Sequence, residues 1–458
     1  YKRQAWKVWI KAGRLKTRRA KPLNRPKEHT MKPSKWQILK SFFHTRNYTE
    51  RAALEAHQQK QLDRLLTNHN SRFYPHSAKL QDYPVINKRI FMQHFADINA
   101  YGISEKDALS VALKAEESRD FSPVFQTTSG KEITVGLSSG TSGNRGIFLV
   151  SPEESALWAG YMLKRMLPRP YLARHSIAFF LRANNNLYTA VKSPLIRFEF
   201  YDLLEALDAH IPRLNAQKPT ILIAPAQVLQ QLAQHPDLAI HPKKIISVAE
   251  VLEPQVKTRI EQRFGTPVHQ IYQCTEGFLA HTCAHGNLHL NEDMVYIEKD
   301  WIDRESGRFA PIITDFNRKS QPVIRYRLDD VLIADDAPCP CGSAFARISA
   351  IEGRCDDILD ARTANGEPYA LYADFIRRAM ISDDLIQEYR VEQHGKALHI
   401  FLTPDTEQTR AAATRNLDRL WQTLQLRPFD YIFQPEQTRP LHQKRRRVTK
   451  ISPYSENP

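Results

Sequence analysis

The alternation of apolar and polar positions changes character along the chain, and each change predicts a different kind of element. Over residues 35–70 apolar side chains recur at mixed spacings of three and four, the period of a helix. Residues 104–116 read the same way. From Ile133 the pattern turns to short apolar runs. ITVGL is a strand entering a Gly/Ser/Thr loop, and IFLV is a strand followed by a helix over SPEESALWAGYMLKRML, where Ser151 and Glu154 form a capping box. SIAFFL, TILIAPAQVLQQLAQ, KKIISVAEVLEPQVKTRIEQRF and PVHQIYQ then give strand, strand–helix, strand–helix and strand. That order predicts an α/β sheet with crossover helices. Residues 286–335 alternate as strands. The last hundred residues return to a mixed pattern: helix near 370–380, strands near 387–402, helix near 406–424 and strand near 429–434. This predicts a small appended α+β domain beginning near Asp356.

A chain of 458 residues is too long for one core and is expected to hold two or three domains. No apolar run approaches the roughly 18–20 residues of a membrane-spanning helix, and no apolar signal core opens the chain. A cytoplasmic protein with no membrane partner is therefore expected. Of the net charge of +15, residues 1–30 carry +10, from eleven Lys or Arg against Glu28. That stretch reads as a basic extension, disordered or not native to the folded protein, and the mildly basic remainder gives no reason to expect a nucleic-acid partner. The expected division is thus 1–30, 31–355 and 356–458. Five cysteines, all after position 273, are too few and too odd in number for a disulfide framework.

Three segments carry candidate chemistry. GLSSGTSGNRG (136–146) sets glycines among hydroxyl and amide side chains between two strands. Such a loop wraps phosphates with backbone N–H groups and hydroxyls, or serves as a plain hairpin loop; it is not a Walker loop. IYQCTEG (271–277) puts a carboxylate beside a hydroxyl at a strand end, where it can hold Mg²⁺ and a phosphate oxygen. PVIRYRLDD (322–330) and EGRCDD (352–357) offer Arg–Asp combinations that suit either surface ion pairs or the ribose and phosphate of a nucleotide.

Taken in order with SVAEVLEP, TDFNRKSQ, CPCG and a C-terminal lysine region, these motifs make residues 35–450 resemble the adenylate-forming superfamily of acyl-CoA ligases. The likeness is to the branch with phenylacetate-CoA ligase and coenzyme F390 synthetase. The resemblance implies a large N-terminal domain of sheets and crossover helices that binds ATP and substrate, joined by a hinge at Asp356 to a mobile C-terminal domain. It implies that Ser138, Ser139, Gly140, Thr141, Ser142 and Gly143 close over the β- and γ-phosphates, and that Ala249 and Glu250 line the adenine pocket. Thr275 would meet the α-phosphate and Glu276 would ligate Mg²⁺. Asp330 would hold the ribose hydroxyls, with Arg354 nearby. Leu328 and Asp329 depart from the family's Thr-Gly at those positions. The catalytic lysine falls on Lys444, with Lys450 as a rival and Gln443 in place of the usual glycine.

The activity implied is attack of a substrate carboxylate on the α-phosphorus of ATP, release of pyrophosphate, and transfer of the acyl group to a thiol, from coenzyme A or a carrier protein. Two alternatives stand beside it: adenylyl transfer to a hydroxyl group, and a nucleotide-binding module that has lost catalysis. A structural zinc site is expected on Cys283-Ala284-His285 and Cys339-Pro340-Cys341, with His289 as the other choice for fourth ligand. The alternative is cysteines that are merely buried or free.

Overall fold

The computed structural model describes residues 34–118, 124–138, 146–171, 173–181, 193–382, 385–435 and 446–451. The expected basic extension 1–30 lies outside them. The region expected to be helical over 35–70 is two helices, Lys35–His44 and Arg51–Asn68. The break falls in a run of Thr45, Asn47 and Thr49, poor helix formers. Arg165 takes up the loosened turn, donating to Arg46 O at 2.9 Å and to Asn47 Oδ1 at 2.5 Å.

One 12-stranded sheet organises the N-terminal body. Its first half is parallel, in the order Ile196–Asp202, His175–Leu181, Ile221–Ala224, Lys244–Ser247, Val268–Gln273. The runs read from the sequence are four of these strands; the edge strand Ile196–Asp202 was not among them. His175–Leu181, Ile221–Ala224 and Lys244–Ser247, in the middle of the sheet, are covered on both faces and lack polar alternation. Helices Leu207–Gln217, Ala226–Gln234 and Pro254–Phe264 cover one face around Phe180, Leu222, Leu229 and Ile260. Helix Pro152–Met166 covers the other. Helix Lys35–His44 lies directly on it at Gly160, where a Cβ would stand 2.3 Å from Ile38 O. The expected capping box is present: Ser151 Oγ accepts from Glu154 N at 3.2 Å, and Glu154 Oε2 accepts from Ser151 N at 2.7 Å.

At Val268–Gln273 the direction changes. Phe278–Thr282, Leu288–Leu290, Arg347–Arg354, Asp330–Asp335, Arg308–Asp315 and Val295–Asp303 continue the sheet antiparallel. A separate three-stranded sheet, Val124–Gln126, Glu132–Leu137 and Ile147–Val150, packs on helix Glu105–Ser118. The last part of the chain has a hydrophobic core of its own, running from Leu359 to Val448. It is built on strands Glu388–His394, Ala397–Thr403, Asp430–Pro435 and Val448–Lys450 with helices Ala373–Ile381 and Glu407–Leu424. No helix among the described residues is long and apolar enough to cross a membrane.

Candidate active site

Parallel strands bind ligands beyond their carboxyl ends, where the connections diverge. A cleft of about 600 Å³ opens there, lined by residues that follow four of the parallel strands and by the antiparallel half of the sheet.

Strand Val268–Gln273 turns into Phe278–Thr282 through Cys274–Gly277, closed by Cys274 N donating to Gly277 O at 3.0 Å. A register shift at Tyr272/Gln273 breaks the ladder there and re-aims the side chains. Gly277 is packed close: a Cβ would stand 3.3 Å from Asp315 Oδ2. Thr275 and Glu276 emerge from this turn into the cleft. Thr275 Oγ1 donates to Glu276 Oε2 at 2.8 Å, and Tyr326 OH donates to Oε1 at 3.0 Å. Each carboxylate oxygen keeps a lone pair, so Glu276 is oriented and still able to receive a cation. Burial, then the charge of Glu276, raises the Tyr326 phenol, which holds it as the donor. Arg318 Nη1 fixes the turn from behind by donating to Thr275 O at 2.9 Å.

Asp330 and Arg354 are direct cross-strand partners and both line the cleft. Tyr272 OH donates to Asp330 Oδ2 at 2.6 Å. The two arginines of the Arg-Tyr-Arg motif turn elsewhere. Arg325 forms a two-pronged pair with Glu298 at 2.9 and 3.1 Å, and Arg327 pairs with Asp300 at 2.6 Å. The arginines of the motif are thus ion-paired structure, while the aspartate lines the cleft. Leu328, where the resembling family has threonine, also lines the cleft.

After strand Lys244–Ser247 the chain makes a three-residue turn, Glu250 N to Val248 O at 2.9 Å, with Ala249 at φ +67°. An L-residue rarely adopts that conformation, and strain of this kind gathers at functional sites. Glu250 Oε2 accepts from Gln227 N at 3.0 Å, satisfying an N–H in the first turn of helix Ala226–Gln234. Both residues line the cleft.

Ser138 stands at the root of the glycine-rich loop: its N donates to Gly146 O at 2.7 Å, and its Oγ accepts from Gly146 N at 2.7 Å. Ser139, Gly140, Thr141, Ser142 and Gly143 lie outside the described residues, as does Lys444. Arg446 and Arg447, just beyond Lys444, reach the cleft. Lys450 points away into a 2.5 Å pair with Asp360.

The sequence reading missed Lys88. The chain reaches it because Ile86 bridges Tyr326, with Arg327 N donating to Ile86 O at 2.7 Å, and Asn87 then caps helix Lys88–Gln93. Lys88 lines the cleft and interacts with Glu276, Asp329 and Arg354; its Cε lies 3.3 Å from a Cβ placed on Gly146. Burial lowers its ammonium pKa. No local pattern marks it, since its neighbours come from far along the chain.

Away from the cleft, Cys283, His289, Cys339 and Cys341 present ligand atoms that all lie within 4.8 Å of one another. Cys283 Sγ is 3.7 Å from Cys339 Sγ, and Cys341 Sγ is 3.5 Å from His289 Nε2. A tetrahedral zinc with Zn–S near 2.3 Å and Zn–N near 2.0–2.1 Å requires edges of about 3.8 and 3.5 Å. His289 Nδ1 lies 3.0 Å from Phe345 O; donating there, it turns Nε2 to the cysteines. The expected fourth ligand, His285, is not in this group; it is exposed on the turn after Cys283. The alternation that buries Leu288 and Leu290 in the core turns His289 the other way, toward the cysteines.

The architecture is the adenylate-forming ligase fold. The chain superposes on 2-hydroxyisobutyryl-CoA ligase in the postadenylation state, in complex with R3-HIB-AMP. The TM-score is 0.59 at 17% sequence identity, over 87% of this chain and 89% of that one. An open conformation of the same ligase, in complex with 2-HIB-AMP and CoA, gives a TM-score of 0.53 at 17% identity, over 88% and 91%. In sequence the chain is similar to Protein CapK of Staphylococcus aureus, 27% identical over 166 residues, or 34% of this chain and 36% of that protein. The chain thus matches about a third of the length of this curated relative. No family model matches it.

Proposed function

We propose that this protein activates a carboxylic acid with ATP, forming an acyl-AMP and pyrophosphate, and passes the acyl group to a thiol such as that of coenzyme A. The observation that carries this reading is the convergence of Thr275, Glu276, Asp330, Arg354, Ala249 and Glu250 on one cleft at the carboxyl ends of the parallel strands. These residues come from four separate chain segments. A ligase of this fold that is bound to an acyl-AMP adds support.

In this mechanism the chain positions reactants and balances charge. Asp330 holds the ribose hydroxyls, and the Ala249–Glu250 turn borders the adenine. Thr275 meets the α-phosphate. Lys88, Ser138 and the loop 139–143 face the outer phosphates, and Lys444 is assigned to the developing charge at the α-phosphorus. Glu276 would hold Mg²⁺, which when bound neutralises phosphate charge. The C-terminal part, from Asp356, is assigned to turn about that residue between the two half-reactions. The Cys283–His289–Cys339–Cys341 set is assigned as a structural zinc site, since four protein ligands leave no open position.

Product analysis by mass spectrometry tests the reaction class. With ATP, an acid panel and coenzyme A, AMP plus a thioester is expected. A stable nucleotide phosphodiester formed with a hydroxyl compound would replace this reading by adenylyl transfer.

A further inference from the structure

The inner end of the cleft is apolar and deep. Helix Pro152–Met166 lies over the parallel strands, yet the interface between them is not closed. Ile223 and Ile271 sit on strands inside the sheet and Val248 directly follows strand Lys244–Ser247 between them; all three pack on the face the helix covers and are only half-buried. A filled helix–sheet interface would bury them fully. Their remaining surface opens into the cleft.

Two rulers measure the depth of this lobe. Along strand His175–Leu181, the cleft is lined from Leu181, at the carboxyl end, to Ile177, whose register partner Ile221 also lines it. Four residues of strand span ~13 Å. Along the helix it is lined from Trp158 to Met166, eight residues or ~12 Å. Among the described residues, the lining contributed by the helix from Trp158 onward and by the strand face opposite it is apolar apart from the indole N–H of Trp158. Met162 and Met166 add side chains that adapt to a flexible occupant. Thr275 and Glu276 stand at the mouth, so a carboxylate placed there directs its substituent inward.

We infer that the lobe takes the tail of an unbranched alkanoic acid of roughly ten carbons, which advances ~1.25 Å per carbon when extended. A single aryl ring would leave about half of this depth unfilled. This inference rests on the proposed activation of an acid, and its test separates the two.

Calorimetry of the apo protein with straight-chain acids from butanoate to tetradecanoate, with benzoate and phenylacetate beside them, is run together with ATP–pyrophosphate exchange on the same acids. Affinity is expected to rise about fourfold per methylene and to level off near ten carbons. Ile177→Phe, at the floor, is expected to move that break at least two carbons shorter, and Ile221→Phe at the same depth provides a second reading should the first variant not fold. Benzoate or phenylacetate binding more tightly than octanoate overturns the inference, as does a break that stays in place in a folded floor variant. A chain-length ladder without exchange on any acid leaves the lobe assignment standing and removes acid activation. Exchange on aryl acids with no alkanoate binding does the reverse.

Discussion

Asp315 shows how one side chain ties the site to stability. It is buried beside the Thr275–Gly277 turn, and burial lifts its carboxyl to about 6. The folded chain therefore holds this proton more tightly than the unfolded chain. The stabilisation is complete below about pH 4 and is lost as pH rises through about 6. Asp315→Asn keeps an oxygen acceptor for Asn317 N and has no charge to bury. Thermal melts of this variant are expected to show a gain on the order of 2 kcal/mol at pH 7.5 and none at pH 4; an equal shift at both would contradict the assignment. Lys88 is a second residue-scale case. If it faces the outer phosphates, Lys88→Met weakens ATP binding about tenfold and leaves adenosine binding unchanged. Calorimetry with the two ligands checks this, and equal losses for both would point to a merely structural lysine. Thr275, Glu276 and Asp330 were legible because each lies in a local motif. Lys88, Tyr272 and Tyr326 were not, because their roles arise from contacts between distant segments.

Elements differ in how plainly they announce themselves. Four of the five parallel strands and the crossover helices Ala226–Gln234 and Pro254–Phe264 were legible, since a strand buried in the sheet is a short apolar run and a helix period follows it; the edge strand Ile196–Asp202, with exposed Arg197, and helix Leu207–Gln217 were not read. The break at 45–50 was missed because apolar spacing continues on both sides of it. The metal cluster was half legible. Its cysteine pairs were visible as pairs, while the histidine depended on which face of strand Leu288–Leu290 it occupies. Metal analysis is expected to find about one zinc per chain. His289→Ala should lose most of it and His285→Ala should retain it; the opposite ranking would restore the reading made from spacing alone.

At the scale of the molecule, the C-terminal core leans on the N-terminal body through a buried charge cluster. Arg447 lies 3.4 Å from Glu253 Oε1 and 3.5 Å from Glu388 Oε2, and Tyr389 OH donates to Glu253 Oε1 at 3.2 Å. Removing the cation takes the charge partner from buried Glu253, so Arg447→Ala is expected to cost about 3 kcal/mol in a thermal or denaturant melt. A loss below about 1 kcal/mol would mean the cluster is solvated in solution. None of this was legible in the sequence, where the C-terminal lysine region drew attention only through Lys444 and Lys450.

The central claim is that Glu276 and Lys444 serve adenylation of a carboxylate, and ATP–pyrophosphate exchange tests it most directly. The unmodified protein should exchange label only when an acid is present, and both Glu276→Ala and Lys444→Ala should lower the rate by about 10²–10³-fold. Bound ATP with no exchange on any acid, or exchange that survives in Glu276→Ala, would contradict it.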